Sequence, residues 1–217
     1  IIVGSRSYGK GTVQVQLPLK EGQIKLTESK FYRVSGESTQ LLGVTPDIQL
    51  PSPYDEEIVG ESALNNALPW DTIAPAKHSI YWSRLLKAWP IDILKTAHKK
   101  RFLIDPDLIY LNEELNLAKE QRSVKEISLN EEKRRMQSKK YDDDLLLLEN
   151  KRRSSKKQSK YSSVKEWQAA KEIANDDERK DGDPVSPESD PVLYEAGNIF
   201  SDYLNYLVVS LKKNTTN

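Results

Sequence analysis

Lys10 is the residue in this sequence with the clearest capacity for chemistry. It stands between Gly9 and Gly11, with Gln14 four residues further on. Counted from Gly4, the pattern Gly4-x-x-x-x-Gly9-Lys10 has most of the spacing of a phosphate-binding loop. That motif needs Ser or Thr directly after the lysine, to put a hydroxyl on magnesium. Gly11 occupies that place and Thr12 comes one residue late. The motif also needs a helix to follow, because its first amides complete the anion site. Val13-Gln14-Val15-Gln16-Leu17 alternates apolar and polar instead, the period of a half-buried strand. The nucleotide reading fails on both counts.

A lysine flanked by glycines has another use. The glycines let the backbone turn sharply and bring the lysine stem into a crowded place. Burial penalises the charged form and lowers the amine pKa. A neutral amine can then take the proton of a serine hydroxyl, the serine–lysine version of a catalytic triad. Gln14 could reach back to orient the amine or the reacting hydroxyl. On these residues alone, a surface turn lysine is the simpler account.

The rest of the chain offers little competing chemistry. There is no cysteine, so no disulfide framework and no thiolate. His78 and His98 are the only histidines, with no ligand cluster around either, so no metal or cofactor is expected and each reads as a surface or packing residue. Glu56-Glu57 reads as a solvent-facing pair. Lysine plus arginine total 33 and aspartate plus glutamate total 33, which gives no global pull toward nucleic acid or membrane. No run approaches the ~18 apolar residues of a transmembrane segment, and no signal peptide opens the chain. A strand beginning at residue 1, with the only methionine at Met136, points to a fragment of something longer.

Two regions of different character must position these residues. Residues 1–75 read as β-rich, with 6 basic and 9 acidic residues. After Val13–Leu17, Pro18 and Glu21-Gly22 supply a turn. Ile24-Lys25-Leu26 resumes the alternation toward Phe31, Tyr32 and Val34, which either line a substrate path or join the core. A loop over Leu41–Asp47 leads to a short strand ended by Pro51 and Pro53. Residues 76–217 read as helical, with 27 basic and 24 acidic residues. Trp82, Leu85, Leu86 and Trp89 share one face, and Pro90 opens the next helix. Asp105-Pro106 and Asp190-Pro191 are cap-plus-proline starts. Leu193, Gly197, Phe200, Leu204, Leu207 and Leu211 form an apolar stripe expected to dock. Residues about 130–160 read as a charged, solvated helix with one sticky turn at Leu145–Leu148, and about 175–190 as a loop. Asp142-Asp143-Asp144 interrupts the basic tract and no aromatics interleave for base stacking, so no nucleic-acid role is expected.

The residues resemble a known family. Val3-Gly4, Tyr8-Gly9-Lys10-Gly11-Thr12-Val13-Gln14, Lys30-Phe31-Tyr32-Arg33-Val34-Ser35-Gly36-Glu37-Ser38-Thr39-Gln40 and Gly43-Val44-Thr45-Pro46-Asp47-Ile48 look like the tail-specific (carboxyl-terminal processing) serine proteases. Asn66-Ala67-Leu68-Pro69-Trp70-Asp71 is similar to the segment closing the protease domain in the long proteobacterial members. Ile127-Ser128-Leu129-Asn130 and Asp190-Pro191-Val192-Leu193 look like their C-terminal domain. The resemblance is specific over residues 3–71 and looser from 76 onward.

The resemblance implies an α+β chain: the β-rich end of a ClpP/crotonase-like protease core over 1–75, then an all-α domain over 76–217. It implies a serine–lysine endopeptidase that grips protein substrates by an apolar C-terminus, with a PDZ domain upstream. The family's lysine falls on Lys10 and its supporting glutamine on Gln14, with Gly9 and Gly11 as the supporting turn. Its nucleophile falls before Ile1; Ser5 and Ser7 occupy positions where the family has none. A fragment without the nucleophile is expected to be inactive alone. The resemblance further implies a periplasmic location, associated with the inner membrane, and an adaptor lipoprotein met through the helical domain. Two other classes stay open: a non-catalytic helical module that has kept a protease remnant, and a basic nucleic-acid-binding helical protein.

Overall fold

The computed structural model describes residues 1–55, 58–78, 90–178 and 190–215. The Trp82–Trp89 face and the Glu56-Glu57 pair expected above lie outside the described residues. The architecture is α+β, with small sheets first and helices after. The chain divides into two compact units, residues 1–91 with 205–217, and residues 92–204.

In the first unit, β1 (Val3–Gly4) pairs in parallel with β4 (Ile48–Gln49). The backbone amides of Asp47 and Leu50 donate to Ile2 and Gly4 carbonyls at 2.8 and 2.9 Å. Ile48 and Leu50 are buried beside this pair. β2 (Thr12–Pro18) and β3 (Gln23–Lys30) form an antiparallel hairpin, with Val15 opposite Leu26 and Leu17 opposite Ile24. The expected turn closes it: the Leu19 amide donates to the Gly22 carbonyl at 3.0 Å, and Gly22 has φ 92°. A bulge falls between Val13 and Gln14.

The alternation places the apolar side chains on one face, as expected, yet that face is not half-buried. Val13, Leu17, Ile24 and Leu26 are each 40–45% exposed. A two-stranded ribbon has no second layer of its own to cover an apolar face. Phe31 and Val34 are exposed as well.

The chain then folds back on itself. Tyr32 bridges Ser38 and Glu37 bridges Thr72. The Ser38 amide donates to the Asp71 carbonyl, Ile73 to Gly36 and Ala76 to Val34, at 2.8–3.1 Å. The Trp70 indole donates to the Ser38 carbonyl at 2.9 Å, and Lys30 Nζ reaches Asp71 Oδ1 at 3.0 Å.

The helical elements are α1 (Ile91–Ile104), α2 (Pro106–Ser123), α3 (Glu131–Ser155), α4 (Val164–Glu178) and α5 (Pro191–Thr215). Their starts follow the sequence. Asp105 Oδ1 accepts from the amides of Asp107 and Leu108, and Asp190 Oδ1 from those of Val192 and Leu193. Asn130 caps α3 by accepting from the Lys133 amide at 3.0 Å. α3 stops at Ser155 because Lys157 adopts φ 57°, a left-handed conformation for which the sequence has no glycine. α4 went unread as a separate helix, although Ser163-x-x-Glu166 marks its start: Ser163 Oγ accepts from the Glu166 amide at 3.3 Å. α4 runs to Glu178, into the start of the expected loop, and residues 179–189 lie outside the described residues.

Ion pairs join α2 and α3. Asp107 receives Arg152 and Lys156, and Glu113 receives Lys151. Among the described residues of the second unit, the buried apolar side chains are Leu94, Leu108, Trp167 and Ile199.

The stripe expected on α5 is corrected by the structure. Leu193, Phe200, Leu204 and Leu211 are 44–60% exposed, and the buried positions are Glu195 and Ile199. Glu195 is buried because α1 supplies its partners. Arg101 Nε donates to both its oxygens at 3.0 and 2.9 Å, and His98 Nδ1 lies 2.8 Å from Oε1. Asn198 Nδ2 adds a third donor at 3.3 Å. A carboxylate only accepts, so His98 carries its proton on Nδ1. His98 is thus a packing residue with a polar partner, and His78 an exposed one.

Candidate functional site

The turn over residues 8–12 is fixed by backbone crowding. Gly9 has φ 94°, and a Cβ there would sit 2.6 Å from the Leu41 carbonyl oxygen. A Cβ on Gly11 would lie 2.3 Å from the Gln40 amide nitrogen. Only glycine fits either position, for conformation at the first and for close approach at both. The opposing loop is held as tightly. Leu41 donates its amide to the Gly9 carbonyl at 2.8 Å, Phe31 donates to Gly11 at 3.0 Å, and Thr39 Oγ1 donates to the Lys10 carbonyl at 3.3 Å.

Lys10 therefore projects from a rigid turn. The crowding expected of it occurs at the glycine backbones. The side chain itself is exposed, and its Nζ donates to Gln14 Oε1 at 3.3 Å. The structure brings Lys10 and Gln14 together, Lys10 just before β2 and Gln14 within it. Ser5 is exposed, and Ser7 is occupied structurally: its Oγ accepts from the Val44 amide at 2.8 Å.

Beneath the turn lies a polar layer that the sequence reading did not assign. Gln40 is fully buried, Ser38 and Thr12 nearly so, and Glu61 is buried in a 3-10 turn over Glu61–Ala63. Gln40 Oε1 accepts from the Gly11 amide and its Nε2 donates to Glu61 Oε1, both at 2.9 Å. The Glu61 amide donates to the Tyr8 carbonyl at 2.8 Å. Gln40 ends the Ser38-Thr39-Gln40 stretch, which is the one sequence signal available; nothing local pairs it with Glu61. Just past the end of β3, on the same side of the hairpin as the Lys10 turn, the Tyr32 hydroxyl donates to Asp71 Oδ2 at 3.2 Å. Partial burial and then the Asp71 charge hold that phenol above its ordinary pKa. Among the described residues, no three His, Cys, Asp or Glu side chains cluster in a way that could hold a metal ion.

Residues 54–205 match the family model of the C-terminal domain of tail specific protease (DUF3340). The chain belongs to that family. Residues 1–50, which carry the Lys10 turn, match peptidase family S41. Over 141 residues the chain is 40% identical to the tail-specific protease of Haemophilus influenzae, covering 60% of this chain and 20% of that protein. Over 60 residues it is 45% identical to the carboxy-terminal-processing protease of Bartonella bacilliformis, covering 27% of this chain and 14% of that protein. The matched stretches thus span a fifth or less of the length of these curated relatives. The resemblance read from the Lys10 turn and the Gly43–Ile48 segment is borne out as a family of proteases. No described helix is long and apolar enough to cross a membrane.

Proposed function

We propose that this chain is the C-terminal portion of a tail-specific serine endopeptidase working through a serine–lysine dyad. Lys10 is the general base and Gln14 holds its amine in line. The nucleophilic serine comes from a part of the parent protein outside this sequence. Neutral Lys10 takes the serine proton as the oxygen attacks a peptide carbonyl. The protonated amine then passes that proton to the leaving nitrogen, and water hydrolyses the acyl-enzyme. A neutral amine requires desolvation. The exposed Lys10 therefore works only once further protein covers the turn.

The observation that carries this reading is the Lys10 Nζ–Gln14 Oε1 contact on a glycine-locked turn within the segment matched to peptidase family S41. In the same reading residues 1–75 complete a ClpP/crotonase-like core. Hydrogen bonds between residues 34–38 and 71–76 tie the end of that segment back to its middle. Residues 76–217 form a helical domain with an architectural role, including packing against an adaptor lipoprotein. The substrates are proteins with apolar C-termini, captured by an upstream PDZ domain, in the periplasm. Residues 1–217 alone do not cleave.

The exposure of the Lys10 amine favours one competing reading, a non-catalytic module that retains a protease remnant. The coding sequence upstream of Ile1 separates the two. An in-frame serine-nucleophile segment preceded by a PDZ domain and a signal peptide is the expected finding. A start codon just before Ile1, or a substituted serine, overturns the protease reading.

A further inference from the structure

Gln40 and Glu61 lie 21 residues apart, in segments that match two different families. Gln40 is in the stretch matched to peptidase family S41 and Glu61 in the stretch matched to the tail-specific protease C-terminal domain. Both fall in the first compact unit. They meet through one buried hydrogen bond, and the other end of the Gln40 amide holds the Gly11 amide, next to Lys10. Glu61 closes the loop from the opposite flank, its own amide bound to the Tyr8 carbonyl. The Lys10 turn is thereby gripped on both sides by one continuous chain: Gly11 amide, Gln40 side chain, Glu61 side chain, Glu61 backbone, Tyr8 carbonyl.

The chemistry of each link is specific. The Gly11 amide requires an acceptor and the Glu61 carboxylate requires a donor, and the Gln40 carboxamide offers both from one side chain. Glutamate at position 40 would set two carboxylates 2.9 Å apart. Asparagine is one methylene too short to keep both contacts.

We propose that Gln40 and Glu61 are positioning residues for Lys10, through which the start of the C-terminal domain segment sets the geometry of the protease turn. This rests on the reading of Lys10 as general base. It makes the C-terminal family segment part of the catalytic apparatus as well as an architectural appendage.

The test uses the full-length parent protein and a protein substrate ending in apolar residues. Gln40→Glu and Glu61→Ala are compared with the double exchange Gln40→Glu/Glu61→Gln. In the exchange, the carboxylate introduced at position 40 would accept from both the Gly11 amide and the carboxamide introduced at position 61. Every hydrogen bond is then restored, with the polarity between the two side chains reversed. A displacement of the base by ~1 Å costs on the order of a hundredfold in rate. We therefore expect kcat to fall by about 10- to 100-fold in each single variant with KM unchanged, and to recover to within about threefold in the exchange. Single variants that are folded and keep parental kcat overturn the proposal. So does an exchange with parental melting temperature whose kcat stays low. Should Gln40→Glu fail to fold, Glu61→Ala and the exchange carry the same comparison. Lys10→Ala is run alongside. If it leaves proteolysis intact the reading of Lys10 itself fails, whereas loss of activity in Lys10→Ala with parental kcat in the other variants refutes only the positioning role.

Discussion

Replacing Glu195 by alanine removes a carboxylate, 1% exposed, that three side chains share. Arg101 loses two charge-assisted hydrogen bonds, at 3.0 and 2.9 Å, and His98 and Asn198 each lose one. Breaking a buried pair from one side costs about 3–5 kcal/mol, because the remaining charge is left without its partner. Here the cost falls at the low end of that range. Arg101 keeps a 2.6 Å contact to Asp202, and a quarter of its side chain reaches water. A loss of about 3 kcal/mol corresponds to a fall of about 6–12 °C in melting temperature for a domain of this size.

The same carboxylate should make stability depend on pH with a definite sign. Burial by itself works to raise the Glu195 pKa, but the hydrogen bonds from Arg101, His98 and Asn198 outweigh it and hold the pKa below 4.5. A depressed folded-state pKa stabilises the fold above the ordinary carboxylate value. That contribution is lost as the pH falls below 4.5 and through the folded value. The assay is thermal unfolding of the 217-residue chain followed by far-UV circular dichroism, at neutral pH and in acid. The difference between parent and Glu195→Ala should be largest at neutral pH and shrink in acid. A shift below about 2 °C at neutral pH, less than one kcal/mol on the same scale, would mean that the Glu195 carboxylate does not hold Arg101 and His98 in place.

Gly11→Ala forces a methyl against the Gln40 backbone, where the approach is 2.3 Å. It should cost about 1–3 kcal/mol by overpacking, read as a lower urea midpoint with an unchanged slope. Gly22, where an added Cβ meets nothing within 4 Å, is the internal control for conformation without a clash. Asp105→Ala removes the acceptor for two helix-start amides and should destabilise by about 1 kcal/mol, whereas Asp105→Asn should be nearly neutral; equal losses would contradict the cap assignment.

Local signals proved legible and distant ones did not. Asp105-Pro106 and Asp190-Pro191 announce helix starts because a cap and its amides lie within three residues of one another. The hairpin was legible for the same reason, its turn and alternation both being local. The buried face of α5 was not. An apolar count favours Leu193 and Phe200, but Glu195 is buried by residues 94 and 97 positions earlier in the chain. The end of α3 was hidden because a lysine takes the left-handed position usually given to glycine. In the candidate site, the spacing of Lys10 and Gln14 made their meeting readable. The Gln40–Glu61 hydrogen bond, between residues whose pairing no local pattern encodes, was invisible until the chain folded back.

The central claim is that Lys10 is the base. The direct measurement is the rate at which the full-length parent protein cleaves a protein substrate with an apolar C-terminus, for parent, Lys10→Ala and Lys10→Arg, with melting temperatures matched. General-base catalysis contributes on the order of 10²–10⁴-fold. With Lys10 as the base, both variants lose activity by that factor, since arginine keeps the charge and cannot accept a proton. Lys10→Arg cleaving at the parental rate would contradict it.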